Sequence, residues 1–222
     1  MKKRRLLSAA LAMCLVAILA FGSLAYFSDS DSVSNKFMTA TAGPDGPDGP
    51  VDPDQELFAV DLYETDITKT DGTTTDVGNT YENILPGSPM AKDPTVKNTG
   101  LYNQYVRVKV TVTEASAWKT ACDKYDLAVN SIFGTIGSGW VLKAEETVEN
   151  AADDTITYVY YQTEVLEPKD TSTVFTQVTI PAAFTLEDMN TLKEFNINIV
   201  AQAIQSDNNG TDVYSAFANW PA

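Results

Sequence analysis

Leu85–Val112, LPGSPMAKDPTVKNTGLYNQYVRVKVTV, decides how this chain folds. Pro86-Gly87 and Asn98-Thr99-Gly100 are turn signals, and Pro94–Lys97 between them is a short extended piece. From Tyr105 to Val112 the residues alternate strictly. Val106, Val108, Val110 and Val112 share one face, and Tyr105, Arg107, Lys109 and Thr111 share the other. A period of two built from β-branched residues predicts a half-buried antiparallel strand. No side chain in this stretch carries a catalytic pattern, so it speaks to architecture alone.

Working outward, Leu57–Tyr63 and Tyr81–Leu85 are predicted strands upstream, with a hairpin turn at Lys69–Thr73 in which Asp71-Gly72 supplies positive φ. Downstream, Ala115–Tyr125 has helical spacing through Ala117, Ala121 and Cys122. Gly134–Gly139 lacks the Lys-Ser/Thr of a phosphate loop and any Gly-x-Gly-x-x-Gly pattern, and reads as a turn or bulge. Strands are predicted at Trp140–Glu146, Thr155–Glu164 and Ser172–Ile180. Thr185–Phe195 is a second short helix, with Thr185 and Asp188 spaced as a capping box. Phe195–Gln205 resumes alternation, Asp207–Gly210 ends it as a turn, and Val213–Trp220 suggests a last helical turn. About seven or eight strands with two inserted helices predict an all-β chain, a β-sandwich of jelly-roll type. Val106, Val108, Val110, Trp140, Ile197 and Ile199 are expected in its core.

The chain has 222 residues, of which 44% are hydrophobic, enough for one packed domain with appendages. Residues 1–25 read as a signal peptide. Lys2–Arg5 form the positive region, Leu6–Phe21 is an uncharged apolar run, and small residues place cleavage between Ala25 and Tyr26. The apolar run is also long enough to span a bilayer, so a retained anchor is the alternative. Residues 26–42, YFSDSDSVSNKFMTATA, form a polar tail without Gly or Pro, with apolar points that include Val33, Phe37 and Met38. Residues 43–55 are a spacer opening GPDGPDGPVDPD, whose proline density favours extended chain. The folded body is assigned to residues 56–222.

Net charge is −15, becoming −19 once the four cations of Lys2–Arg5 are removed. Such an acidic surface disfavours nucleic acid and anionic membranes as partners. There is no histidine, which excludes Ser-His-Asp and Cys-His sites and the His-Glu-x-x-His zinc helix. Cys14 lies in the signal segment, so Cys122 is left alone and reads as a small buried apolar residue. Asp29/Asp31 and Asp153-Asp154 are the tight acidic pairs, all in expected loops or tail, and Asp207–Gly210 lacks the spacing of a calcium loop. No cofactor, metal or catalytic residue is assigned. Tyr158, Tyr160 and Tyr161 with Trp140 are either core or a platform for a sugar.

Several pieces together resemble the TasA/camelysin (CalY) family of secreted Gram-positive proteins. They are Leu24-Ala25-Tyr26-Phe27-Ser28-Asp29, Asn35-Lys36-Phe37, Pro86-Gly87, Val96–Gly100, Tyr105–Val108 and Ile199–Gln205, in that order. The Gly43–Asp54 spacer departs from the family's pattern, and Ala115–Asp170 shows no matching piece. The resemblance implies a jelly-roll body, export through a SipW-type signal peptidase, and assembly into extracellular biofilm-matrix fibres. In those fibres the tail of one subunit completes the sheet of the next, which is strand addition to an open edge. A surface adhesin or carbohydrate-binding module is the competing function. Camelysin-like metalloproteolysis is disfavoured by the missing histidine. The expectation is therefore a self-assembling structural protein, secreted, without enzymatic activity and without a membrane after processing.

Overall fold

The computed structural model describes residues 28–32, 58–192 and 194–218. Its strands are β1 (Ser28–Ser32), β2 (Val60–Thr65), β3 (Thr74–Thr75), β4 (Pro89–Ala91), β5 (Thr95–Asn98), β6 (Gln104–Thr113), β7 (Trp140–Leu142), β8 (Val148–Asn150), β9 (Thr155–Leu166), β10 (Thr171–Thr173), β11 (Gln177–Thr179) and β12 (Ile197–Gln205). The α-helices among the described residues are α1 (Ala115–Asp123), α2 (Leu186–Leu192) and α3 (Val213–Phe217). Its described residues are mostly β-strands with a few short helices, every strand pair among them antiparallel.

The alternating stretch forms the middle of the largest sheet, ordered β1-β12-β6-β9-β7, with β8 also on β9. A second sheet runs β10-β5-β2-β3, and β11 pairs β4. Val106, Val108, Val110 and Val112 are fully buried and share one apolar cluster with Val60 and Leu62 of β2 and Val96 of β5. The sheets thus cover each other's inner faces. Val106, Val108, Val110, Trp140 and Ile199 are buried as expected, while Ile197 is only partly buried.

The outer face of β6 differs from the half-buried expectation. Tyr105 and Arg107 are also buried, because α3 folds back over them. Tyr105, Val159, Tyr161, Ile204, Val213 and Phe217 make a second, smaller core there. Arg107 sits in it with its guanidinium carbon 4.5 Å from the Phe217 ring, and its Nε–H donates to Gln202 Oε1 at 2.8 Å.

Three predicted strands need correction. Tyr81–Leu85 is irregular, held by the Tyr81 hydroxyl donating to the Ala91 carbonyl rather than by a ladder. Ser172–Ile180 is two strands, β10 paired with β5 and β11 paired with β4, and Val174 and Phe175 between them are both fully buried. Trp140–Glu146 ends as a strand at Leu142 and closes in a turn, Glu146 N–H donating to Lys143 O at 2.9 Å. Strands β4 and β8 were not expected. The β2–β3 hairpin turns at Gly72, φ 78°, as its Asp-Gly predicts. The capping box is present too: the Thr185 backbone N–H donates to Asp188 Oδ2 at 2.9 Å, and the Asp188 N–H to Thr185 Oγ1 at 3.3 Å.

Candidate functional site

Strand β12 pairs β6 along all nine of its residues, Ile197↔Val112 through Gln205↔Gln104. Its other edge is only partly covered. β1 runs antiparallel along it with Ser28↔Ile204, Asp29↔Ala203, Ser30↔Gln202, Asp31↔Ala201 and Ser32↔Val200. Among the described residues no strand lies against that edge at Ile197–Ile199. An open edge presents backbone N–H and C=O groups in a row, ready to pair with added chain. Five places of that row, Val200–Ile204, are taken by the chain's own tail.

Where β1 stops, a groove of about 570 Å³ begins. One wall is Glu194–Val200. The other is the irregular segment that joins β3 to β4, from Val77 to Tyr81 with Ile84, closed below by Met90 of β4 and Val178 of β11. Val77, at the groove's edge, is 77% exposed.

The wall is fixed by polar contacts that range from buried to exposed. Lys92 Nζ donates to Glu64 Oε1 at 2.5 Å, and both side chains are buried. Asn79 Nδ2 donates to Glu64 Oε2 at 3.2 Å and to the Thr65 carbonyl at 2.8 Å, and Asn79 Oδ1 accepts the Ile67 N–H at 3.1 Å. Thr65 donates its N–H and hydroxyl to the two oxygens of Asp93, at 2.8 and 2.6 Å. β2 is thereby tied to Asn79 in the wall and to Lys92 and Asp93, which follow β4. Burial, with the negative charges of Glu64 and Asp93 adding to it, pushes the Tyr81 hydroxyl up to about 12. That hydroxyl stays a neutral donor. The site carries apolar surface and backbone edge rather than an acid, a base or a nucleophile.

The residues singled out in the sequence fall unevenly on this site. Ala25 and Tyr26 of the cleavage site, and Val33, Phe37 and Met38 of the tail, lie outside the described residues, as do the spacer 43–55 and Leu57 and Trp220. The Tyr-rich platform is corrected: Tyr158, Tyr160, Tyr161 and Trp140 are each at most 5% exposed. Phe133 packs edge-on to Tyr158 and Tyr160, and burial raises both hydroxyls above their ordinary range. No face is left on which a sugar could stack. Cys122 is buried among Trp118 and Ala121, and burial pushes its thiol up. Asp153 and Asp154 serve local structure: Asp154 Oδ1 accepts the Ser116 N–H at 2.9 Å at the start of α1, and Asp153 Oδ2 accepts from Asn150 at 2.6 Å. Among the described residues no three His, Cys, Asp or Glu side chains gather as a metal site, and no helix is long and apolar enough to cross a membrane. The groove was not foreseen. Its signal in the sequence was Val77, an aliphatic outside every predicted strand, while Ile84 was absorbed into the predicted Tyr81–Leu85 strand that the structure does not form.

Comparison of the chain with protein-family models, with curated proteins and with solved structures finds no match.

Proposed function

We propose that this chain is a secreted structural subunit of an extracellular matrix, of TasA/camelysin type, that assembles head to tail through its N-terminal tail. On this reading the body is a jelly roll, a SipW-type signal peptidase cleaves before Tyr26, and the tail of one copy adds to β12 of the next. The observation that carries the reading is the antiparallel register of Ser28–Ser32 on the β12 edge. A strand joined to its own body through the long segment between Ser32 and Phe58 can leave that edge and take the same place on a second copy. Exchange of an identical element between copies costs little, because the same backbone pairs form on either body. Head-to-tail pairing that does not close on itself propagates as a filament.

The test uses proline. In an antiparallel edge strand alternate N–H groups point at the partner, so Ser30→Pro together with Asp31→Pro removes one ladder donor whichever residue supplies it. Electron micrographs of the processed protein are expected to show filaments for the unsubstituted chain and none for this variant. Monomers from both would reject the proposal. Filaments from both would keep a structural role but move the contact into the body.

A further inference from the structure

One inward position of β2 is filled by an acid. Val60, Leu62 and Glu64 alternate onto the buried face of that strand, with the less buried Asp61, Tyr63 and Thr65 between and after them. Glu64 is 4% exposed, and Lys92, whose Nζ donates to its Oε1 at 2.5 Å, is 7% exposed. An ion pair is a weak reason to bury two charges, since apolar side chains of similar volume often hold a core as well or better. The second oxygen of the same carboxylate accepts from Asn79 Nδ2 at 3.2 Å. A lysine amine, a side-chain carboxamide and a carboxylate that touches both are the parts of an amide-forming reaction. We infer that Lys92 and Asn79 join in an intramolecular isopeptide bond, Nζ to Cγ, with Glu64 carrying the protons and ammonia as the by-product.

The polar atoms of the Asn79 carboxamide are held for that reaction. Oδ1 accepts the Ile67 N–H at 3.1 Å, a donor placed where negative charge develops when Cγ is attacked. Nδ2 donates to the Thr65 carbonyl at 2.8 Å as well as to Glu64, so the nitrogen that leaves is the one beside the acid. Lys92 gives one ammonium proton to Glu64 Oε1, which frees the Nζ lone pair. Nζ adds to Cγ, and Oδ1 takes the negative charge. The carbonyl re-forms as the Cγ–Nδ2 bond breaks, and Glu64 protonates the departing nitrogen. The new amide nitrogen gives up its surplus proton through Glu64, so ammonium leaves. One C–N bond replaces another, and nothing is oxidised or reduced. Holding both reactants on one carboxylate makes the encounter intramolecular, equivalent to about 10⁵–10⁸ M when the alignment is good. A step taken once per chain has no turnover to sustain.

The bond falls where backbone pairing is sparse. Between Asn79 and Lys92 the chain forms only β4, three residues long, and Leu85 there is exposed. A covalent link across that segment removes chain entropy from the unfolded state, as a disulfide does. The described residues hold one cysteine, Cys122, and it is free, so they contain no disulfide to do this. Glu64, Asn79 and Lys92 all line the groove, which gives the ammonium a way to solvent. Toward a ligand that groove offers apolar surface and backbone edge, because its acid and its amine face each other and Asn79. The bond belongs to the body of the protein and stands whether or not the tail assembles.

Mass spectrometry of the purified, denatured chain reads the bond without any variant. A deficit of about 17 Da, the mass of one ammonia, is expected. Asn209-Gly210 can also shed ammonia, as a succinimide, so the site is read from fragments. Cyanogen bromide cuts after Met90, between the two residues to be joined. With the bond in place residues 39–90 and 91–189 stay together, and without it they separate. Full mass with separate fragments would overturn the inference. So would a deficit of about 18 Da, one water, with Lys92 joined to Glu64. Lys92→Arg keeps the charge but not the nucleophile, and Glu64→Gln keeps the shape but not the proton carrier. Both variants are expected at full mass with the fragments separate. Joined fragments from Lys92→Arg would show that another residue makes the link, and joined fragments from Glu64→Gln would reject the part given to Glu64. The unsubstituted chain decides the bond itself even where a variant fails to fold.

Discussion

Asn98 shows what a single side chain does in this fold. It stands in the turn that the sequence marks only as Asn-Thr-Gly, yet it is fully buried. Its Nδ2 donates to the carbonyls of Tyr102 and Leu166, both at 2.9 Å, and its Oδ1 accepts from the Gly100 N–H and from Gln104 Nε2 at 2.9 and 2.8 Å. Gln104 Nε2 also donates to the Ala59 carbonyl, so one amide pair links the ends of β2, β5, β6 and β9. Asn98→Ala leaves several buried groups unpaired at about 1–3 kcal/mol each, and a loss of about 3 kcal/mol or more is expected in urea unfolding. Asp188 gives a pH signature. Lys124 Nζ, the Thr185 N–H and the Tyr125 hydroxyl all donate to its carboxylate, and hold it well below the usual carboxylate range. Since its folded value lies below its unfolded one, its contribution is present above the ordinary carboxylate pKa of about 3.9 and is lost as pH falls through the folded value. The denaturation midpoint of the natural protein is therefore expected to exceed that of Asp188→Asn by a constant amount near neutrality. The gap should close with acidification below about pH 4. A gap unchanged down to about pH 2 would show that the carboxylate's charge contributes nothing.

Elements differ in how far the sequence exposes them. β6 and β12 were legible because one face of each is apolar but for a terminal Gln, Val106–Val112 in β6 and Ile197–Ala203 in β12, and that period of two outlasts any turn signal. α1 and α2 were legible from helical spacing and from the Thr185/Asp188 pair. The short strands β4, β8 and β10 were not, since two or three residues carry no period and their pairing is decided by what lies alongside. The groove was illegible for the same reason: its walls meet only after the sheets have packed. The Gly134–Gly139 loop was read as a turn, and its glycines have a further cause. Gly134 N–H donates to Gln177 O and Gly137 N–H to Val174 O, so the loop lies directly on the backbone of the passage from β10 to β11. A methyl on Gly137 would overlap the Thr173 carbonyl oxygen, whereas one on Gly134 meets the exposed side chain of Gln177, which can turn away. Gly137→Ala is expected to cost about 2–3 kcal/mol, by the penalty for overpacking a closed space, and Gly134→Ala less than about 1 kcal/mol. Thermal melts of the two variants side by side check the ordering, and equal melting temperatures would contradict the close approach.

At the scale of the whole molecule the dominant quantity is charge. A chain of net charge −15, or −19 without Lys2–Arg5, repels its copies at every encounter, and the proposed strand addition would have to proceed against that field. The forces that would favour such addition are short-ranged: backbone pairing along β12 and burial of apolar side chains. Salt separates the two kinds of force. The screening length falls from about 30 Å at 0.01 M to about 8 Å at 0.15 M, so repulsion between bodies is largely removed while hydrogen bonds and apolar burial are left in place. The critical concentration for filaments is therefore expected to fall as sodium chloride is raised across that range, measured by light scattering with micrographs of the product. Assembly that weakens with salt would point instead to attraction between charged surfaces, and would move the contact away from the β12 edge to faces where opposite charges meet.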